Sequence, residues 1–327
     1  MVSAVIESKQ PERVIAMILA VTMNPSVDIS YQVDQFKLDD VNRVEHVRKT
    51  AGGKGLNVAR VIVQMGENVL ATGVLGGTIG EYIIQELNKS SIPNTFLKIE
   101  KESRNCIAIL HEGMQTEILE TGPTLSVEEG KAFIDKYEDL LSSVSLVTIS
   151  GSLPKGLPPD FYCKMVGITQ GRGVPVILDT SGEALKQVLL HDEKPFAIKP
   201  NTTELSQLLG TDVNNDTNSI QQALKHAMFR GIEWIIVSMG SEGAFVRHLA
   251  DDYRVTIPKI DVINPVGSGD ATVAGFAVAM QREKSTETLL KTAMVTGMLN
   301  AMEAGTGSIN MKKFDQYFDL VKVEKID

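Results

Sequence analysis

Four short runs that are apolar on both faces limit what this 327-residue chain can fold into more than any other feature. Residues 144–150, 174–179, 196–199 and 234–238 are rich in β-branched side chains, and a strand apolar on both faces must be covered on both. Amphipathic stretches at 127–141, 160–170 and 220–229 separate them. Strand, helix and strand repeated in this way predict an α/β fold, doubly wound, with a mostly parallel sheet between two helical layers. Ligands then gather at the carboxyl ends of the strands. No fixed-period repeat, low-complexity tract or Pro/Gly/Ser linker divides the chain, so residues 17–327 read as one domain behind an extension at 1–16.

Two segments break the alternation. Residues 28–50 and 95–122 carry period-two patterns, and Glu112-Gly113 supplies a turn between 106–110 and 116–119. They predict a small second sheet inserted into the main fold, or else a plain surface hairpin. The longest apolar run, 14–23, follows Lys9 and Arg13 and so imitates a secretion signal. Glu7 and Glu12 lie among those cations, however, and the run passes into Asn24-Pro25 without a small-x-small cleavage site, which favours a buried first strand. It is also shorter than the roughly 20 residues that span a bilayer.

The formal net charge is −9 and the pI near 5.2, so no broad basic face is expected for nucleic acid or anionic lipid. An anionic ligand needs a local site. Cys106 and Cys163 form no CxxC pair and no histidine cluster accompanies them, which argues against a disulfide framework or structural zinc and for a reducing, cytoplasmic setting.

Four segments carry candidate chemistry. In Asn264-Pro265-Val266-Gly267-Ser268-Gly269-Asp270, followed by a small-residue apolar helix, Gly267 and Gly269 let successive amides face one concavity at a helix N-terminus, a site for phosphate oxygens. Asp270 at that opening could act on a ligand or simply complement the helix dipole. The motif is neither a Walker A loop nor a dinucleotide fingerprint. Ala51-Gly52-Gly53-Lys54-Gly55-Leu56-Asn57 sets glycines around a lysine before a helix; Lys54 suits a phosphate and Asn57 a hydroxyl, and a flexible turn is the alternative. Lys199-Pro200-Asn201-Thr202-Thr203-Glu204 reads as a capping box or as a carboxylate facing a magnesium-bound phosphate. Ser238-Met239-Gly240-Ser241-Glu242-Gly243 ends a strand in a glycine-spaced loop suited to a nucleotide.

Together, in this order, the four segments resemble the ribokinase-like (PfkB) carbohydrate kinase family from about Met17 to the C-terminus. The resemblance implies that Asp270 is the catalytic base, with Gly267, Ser268 and Gly269 as its anion hole. It implies that Asp28, Gly53 and Asn57, with Gly52 beside them, meet sugar hydroxyls, and that Arg43, Lys54, Arg104 and Ser152 hold a substrate phosphate. Lys199, Asn201 and Glu204 fall near the phosphates of ATP and its Mg2+, with Glu204 as the metal ligand, while Ser238, Gly240, Gly243 and Asn300 line the nucleotide cleft. Family members that use a monovalent cation carry Asp-Thr before the glycine loop; here Asn264-Pro265-Val266 stands there, which argues against potassium activation. The wording at 22–28, 104–113 and 150–156 is similar to members that phosphorylate the 1-hydroxyl of D-tagatose 6-phosphate, with those acting on fructose 1-phosphate as the sister group. A non-catalytic sugar-phosphate-binding regulator on the same fold is the alternative outside enzymes. The small sheet is expected to be a lid over the sugar and the interface of a homodimer, and residues 1 to about 13 are expected to be dispensable.

Overall fold

A computed structural model describes residues 17–326; the extension expected at 1–16 lies outside the described residues. From the N-terminus come β1 (Ile18–Thr22), β2 (Ser26–Gln32), β3 (His46–Gly52), α1 (Lys54–Gln64), β4 (Val69–Gly76), α2 (Gly77–Lys89) and β5 (Leu97–Ile99). Then follow β6 (Arg104–His111), β7 (Met114–Leu119), α3 (Val127–Leu140), β8 (Leu146–Ser150), α4 (Phe161–Gly171), β9 (Val176–Asp179) and α5 (Gly182–Leu190). The rest is β10 (Ala197–Ile198), α6 (Thr202–Leu209), α7 (Thr217–Ala223), β11 (Trp234–Ser238), β12 (Ala244–His248), β13 (Asp251–Thr256), α8 (Ser268–Gln281), α9 (Thr286–Ala301), α10 (Phe314–Phe318) and β14 (Lys322–Ile326).

Among the described residues, ten strands form one sheet in the order β14-β13-β12-β11-β10-β9-β8-β1-β4-β5. The strands from β5 to β11 are parallel. Alternate residues of a strand face opposite sides, and β1 shows why both must be apolar. Ile18 and Ala20 enter one buried cluster with α1, α8 and α9, while Leu19 and Val21 enter the other with α3, α4 and α5. The small residues of α8 serve a close helix pair: a Cβ at Gly275 would stand 2.1 Å from Thr296 Oγ1 and 2.8 Å from Thr292 O, so only glycine lets α9 approach this near.

Four strands form the second sheet, in the order β3-β2-β6-β7. Its hairpin turns at Glu112 and Gly113, both with positive φ (51° and 74°), as a two-residue turn between right-twisted strands demands. The period-two segments therefore pair with each other rather than forming an isolated hairpin. Three details depart from expectation. Residues 97–99 join the edge of the main sheet as β5. Strands β12, β13 and β14 extend that sheet antiparallel, which the helix-strand alternation did not reveal. The helix expected over 220–229 is α7 plus a separate 3-10 turn, Ala227–Phe229. It starts early because the Asp216 side chain accepts from Ser219 N at 2.9 Å; it ends at Ala223, and His226, whose Nδ1 accepts from Met228 N, caps the 3-10 turn that follows. Among the described residues no helix is long and apolar enough to cross a membrane.

Candidate active site

The carboxyl ends of the parallel strands face the small sheet across a cleft of about 520 Å³, within the range of small-molecule sites. Asp270 is at its floor. Gly267, with φ 84°, is the N-cap of α8, so Asp270 is the third residue of a helix whose first amides have no intrahelical acceptor. Gly267, Gly269 and Asp270 all line the cleft, and the buried Ser268 hydroxyl has no hydrogen-bond partner. The Asp270 carboxylate is 6% exposed and accepts a hydrogen bond from Asn57 Nδ2 at 2.8 Å. Burial first, and then the negative charge of Asp179, push its pKa up to about 7, against the pull of Lys54, Asn57 and Lys199. A carboxylate balanced there can exchange a proton at neutral pH.

Asp179, at the end of β9, is a functional candidate that sequence reasoning missed. It is 2% exposed and lies between two ammonium groups, Lys54 Nζ at 3.8 Å and Lys199 Nζ at 3.5 Å. The attraction of Asp179 raises the Lys54 pKa above that of a free lysine, so the cation persists. Asp179 therefore ties the first residue of α1 to the chain leaving β10. The available signal was a lone acid closing an apolar strand at its carboxyl end, where ligands collect.

On the small-sheet side, Asp28, Ser30, Arg48 and Thr50 occupy one face by register: Asp28 is paired with Thr50 and Ser30 with Arg48. All four line the cleft. Asp28 accepts from Ser26 Oγ at 2.7 Å, and burial raises its pKa. Gly52 leaves the space that Asp28 fills, since a Cβ there would stand 2.0 Å from the carboxyl carbon. Gly53 begins α1 with φ 105°. Arg104 also lines the cleft, and backbone oxygens hold it: Nε and Nη2 donate to Asn24 O and Nη1 to Glu120 O. Two of its five N–H groups stay available for an anion. Arg43 and Ser152 are not among the residues lining the cleft. Arg43 is exposed in the loop after β2, beside a separate surface depression; Arg48, on β3 four residues before its end at Gly52, lines the cleft. Ser152 is exposed beyond β8.

On the opposite side, Lys199, Asn201, Glu204 and Ser238 line the cleft. The capping box is formed: Asn201 Oδ1 accepts from Glu204 N at 2.8 Å, and Glu204 Oε2 accepts from Asn201 N at 2.9 Å. The other Glu204 oxygen remains outside the box. Two nucleotide-cleft expectations receive a structural role here. A Cβ on Gly243 would lie 2.1 Å from Val255 O, so this glycine permits β13 to pack, whereas Gly240, at φ 58°, has open space around it. Asn300 does not line the cleft. It is fully buried, donating to Val266 O at 2.9 Å and accepting from Gly307 N at 2.8 Å, and so it straps the glycine loop to the turn after α9.

Residues 21–313 match the pfkB family carbohydrate kinase. The chain belongs to the PfkB family of carbohydrate kinases. This PfkB kinase is 52% identical over 310 residues to the tagatose-6-phosphate kinase of Staphylococcus epidermidis, covering 95% of this chain and 100% of that one. A Staphylococcus aureus crystal structure, provisionally described as a phosphofructokinase, superposes with a TM-score of 0.81 at 30% identity over 95% of this chain and 99% of that one. Phosphofructokinase-2 of Escherichia coli shares the fold, with a TM-score of 0.85 at 24% identity over 93% and 98% of the two chains. The ribokinase-like sheet with a small separate sheet is thus the architecture of a carbohydrate kinase family.

Proposed function

We propose that this chain transfers the γ-phosphoryl group of ATP to the 1-hydroxyl of D-tagatose 6-phosphate, giving the 1,6-bisphosphate. The observation that carries the reading is the buried Asp270, held by Asn57 at the first turn of α8 and flanked by Lys54 and Lys199. Phosphoryl transfer asks little covalent chemistry of a protein; it needs a positioned hydroxyl, an acceptor for its proton and positive potential around the group in transit. Asp270 takes the proton, and the amides of 267–270 stabilise charge on the transferring oxygens. Lys54 and Lys199, joined through Asp179, keep two cations on the path between donor and acceptor.

The local cations explain how a protein of net charge −9 takes an anionic sugar: Arg48 and Arg104 stand on the small-sheet side of the cleft, where Asp28 meets hydroxyls. ATP takes the side of Ser238 and Asn201. Mg2+ commonly binds through one or two carboxylates together with substrate phosphates. The donor set fits that mode, since Glu204 lines the cleft with one oxygen outside the capping box, and among the described residues no cluster of three acidic, His or Cys side chains builds an all-protein cage. When bound, the ion neutralises charge on the phosphate oxygens.

The 52% identity to a tagatose-6-phosphate kinase supports that substrate over fructose 1-phosphate. Coupled assays with ATP and tagatose 6-phosphate, fructose 1-phosphate or fructose 6-phosphate test it: kcat/KM is expected to be highest for tagatose 6-phosphate, and a higher value for either fructose phosphate overturns the assignment. The small sheet is also proposed as a lid and as the interface of a homodimer. Its edge strand β7 is exposed throughout, with Met114, Ile118 and Leu119 each more than half exposed, and such an edge favours pairing with a second copy. Ile107 serves the chain itself, packing against the cluster that contains Ile83 of α2, and Ile109 is buried.

A further inference from the structure

The carboxamide of Asn57 has two chemically different ends, and its neighbours assign them. Nδ2 donates to Asp270 Oδ2 at 2.8 Å, and Oδ1 accepts from Arg60 Nη1 at 3.0 Å. A guanidinium offers donors only, so Arg60 is satisfied by the carbonyl end of the amide and not by the other. Turned end for end, the amide would set NH2 against guanidinium and a carbonyl against the carboxylate, losing both bonds. Asn57 is 5% exposed, so water cannot readily replace either.

Arg60 stands one turn beyond Asn57 on α1, where residues three apart are neighbours. Its other N–H groups reach two further parts of the site. Nη1 also donates to Thr306 O at 2.8 Å, in the turn after α9 that lines the cleft, and Nη2 donates to Ala51 O, where β3 of the small sheet meets Gly52 and Gly53. The surroundings are shaped to admit it. Gly307 has φ 61°, and a Cβ on it would lie 2.6 Å from Arg60 Nη1 and 3.0 Å from Asn57 Cα. Gln64, a turn further along α1, donates to Gly307 O at 2.8 Å and accepts from Ile309 N at 2.8 Å, clamping the same turn to the helix.

We propose that Arg60 is a positioning residue for phosphoryl transfer, fixing the orientation in which Asn57 holds Asp270 and joining that orientation to the small-sheet hinge at Ala51 and the turn at Thr306. The proposal rests on the reading of Asp270 as the base. It requires Arg60 to act through Asn57, which a double-mutant cycle measures. Arg60→Met, Asn57→Ala and the double variant are compared with wild type in kcat and in KM for ATP, with folding checked by thermal melting. Losing a hydrogen bond to a charged group predicts a fall in kcat of about 10- to 100-fold for Arg60→Met, with the KM for ATP nearly unchanged. The double variant is then no slower than Asn57→Ala alone. Arg60→Lys, which keeps a donor for Oδ1, recovers part of kcat and supplies the cycle's second arm if Arg60→Met does not fold. Losses that multiply in the double variant, or an Arg60→Met enzyme with wild-type kcat, overturn the proposal while leaving the base intact. An Asp270→Asn enzyme of near-normal turnover sinks the base assignment and overturns the proposal with it.

Discussion

Asp270 and Asp28 are both carboxylates in one cleft, and both are held above the usual range chiefly by burial. For Asp270 this has two consequences with opposite signs. As a base it works only when deprotonated, so kcat is expected to fall as pH drops through about 7. Stability runs the other way, because a pKa raised on folding means that the folded state holds its proton where the unfolded chain has lost it. The stabilisation present below the ordinary carboxylate value of 3.8 is therefore lost progressively as pH rises towards about 7. Asp270→Asn is expected to lose about 10²–10⁴-fold in turnover while its melting temperature gains on wild type as pH rises from 5 to 8. A gap that stays constant with pH would contradict the burial argument. At Gly52 the reasoning is steric. Gly52→Ala places a methyl group on the Asp28 carboxylate, so KM for the sugar phosphate should rise at least about tenfold, the worth of one lost hydrogen bond to a charged group, with KM for ATP unmoved. Equal changes in both constants would show that the damage spreads beyond the sugar side. Asp270 was legible because its glycines mark it. Asp179 and Arg60 were not, because a buried acid and an interior arginine have no local motif; their roles come from partners far away in sequence.

At the scale of the element, two helices carry the same N-terminal device for different ends. Ser126 and Glu129 form a capping box at the start of α3, away from the cleft, and Asn201 with Glu204 forms another at α6, on the cleft wall. Ser126→Ala should cost about 1 kcal/mol of stability, the usual worth of a cap, and leave kcat unaltered. Glu204→Gln separates the two readings of the second box, since glutamine can still close it but carries no charge for a metal-bound phosphate. Turnover should drop with a higher requirement for Mg2+, while stability changes by less than about 1 kcal/mol. An enzyme with normal kinetics at low Mg2+ would leave Glu204 only its cap. The expectation that this carboxylate either caps or faces phosphate set up a choice that the fold does not force, because a carboxylate has two oxygens and the cap takes one.

At the scale of the whole molecule, the small sheet is proposed to have two tasks. Its inner face, with Asp28, Arg48 and Cys106, lines the cleft, and its edge strand β7 lies open. Sedimentation is expected to show a dimer for the wild type and a monomer for Met114→Glu combined with Ile118→Lys, two exposed positions of that strand. A double variant that still sediments as the dimer would place the interface elsewhere. The monomer should also be a poorer kinase, because a lid without its partner would exclude water less completely from the γ-phosphoryl group.

The sequence by itself determined the sheet, its two helical layers, the inserted strands and the glycine-framed Asp270, because these rest on period, turn chemistry and the conformational freedom of glycine, all of which act within a few residues. Only the tertiary structure decided the antiparallel extension through β14, the burial of Asn300 as a strap, the place of Arg48 on the cleft wall, and the Lys54–Asp179–Lys199 bridge. Each of these depends on which distant segments come to share one space. Charge and hydrogen bonding act across that space, whatever the separation along the chain.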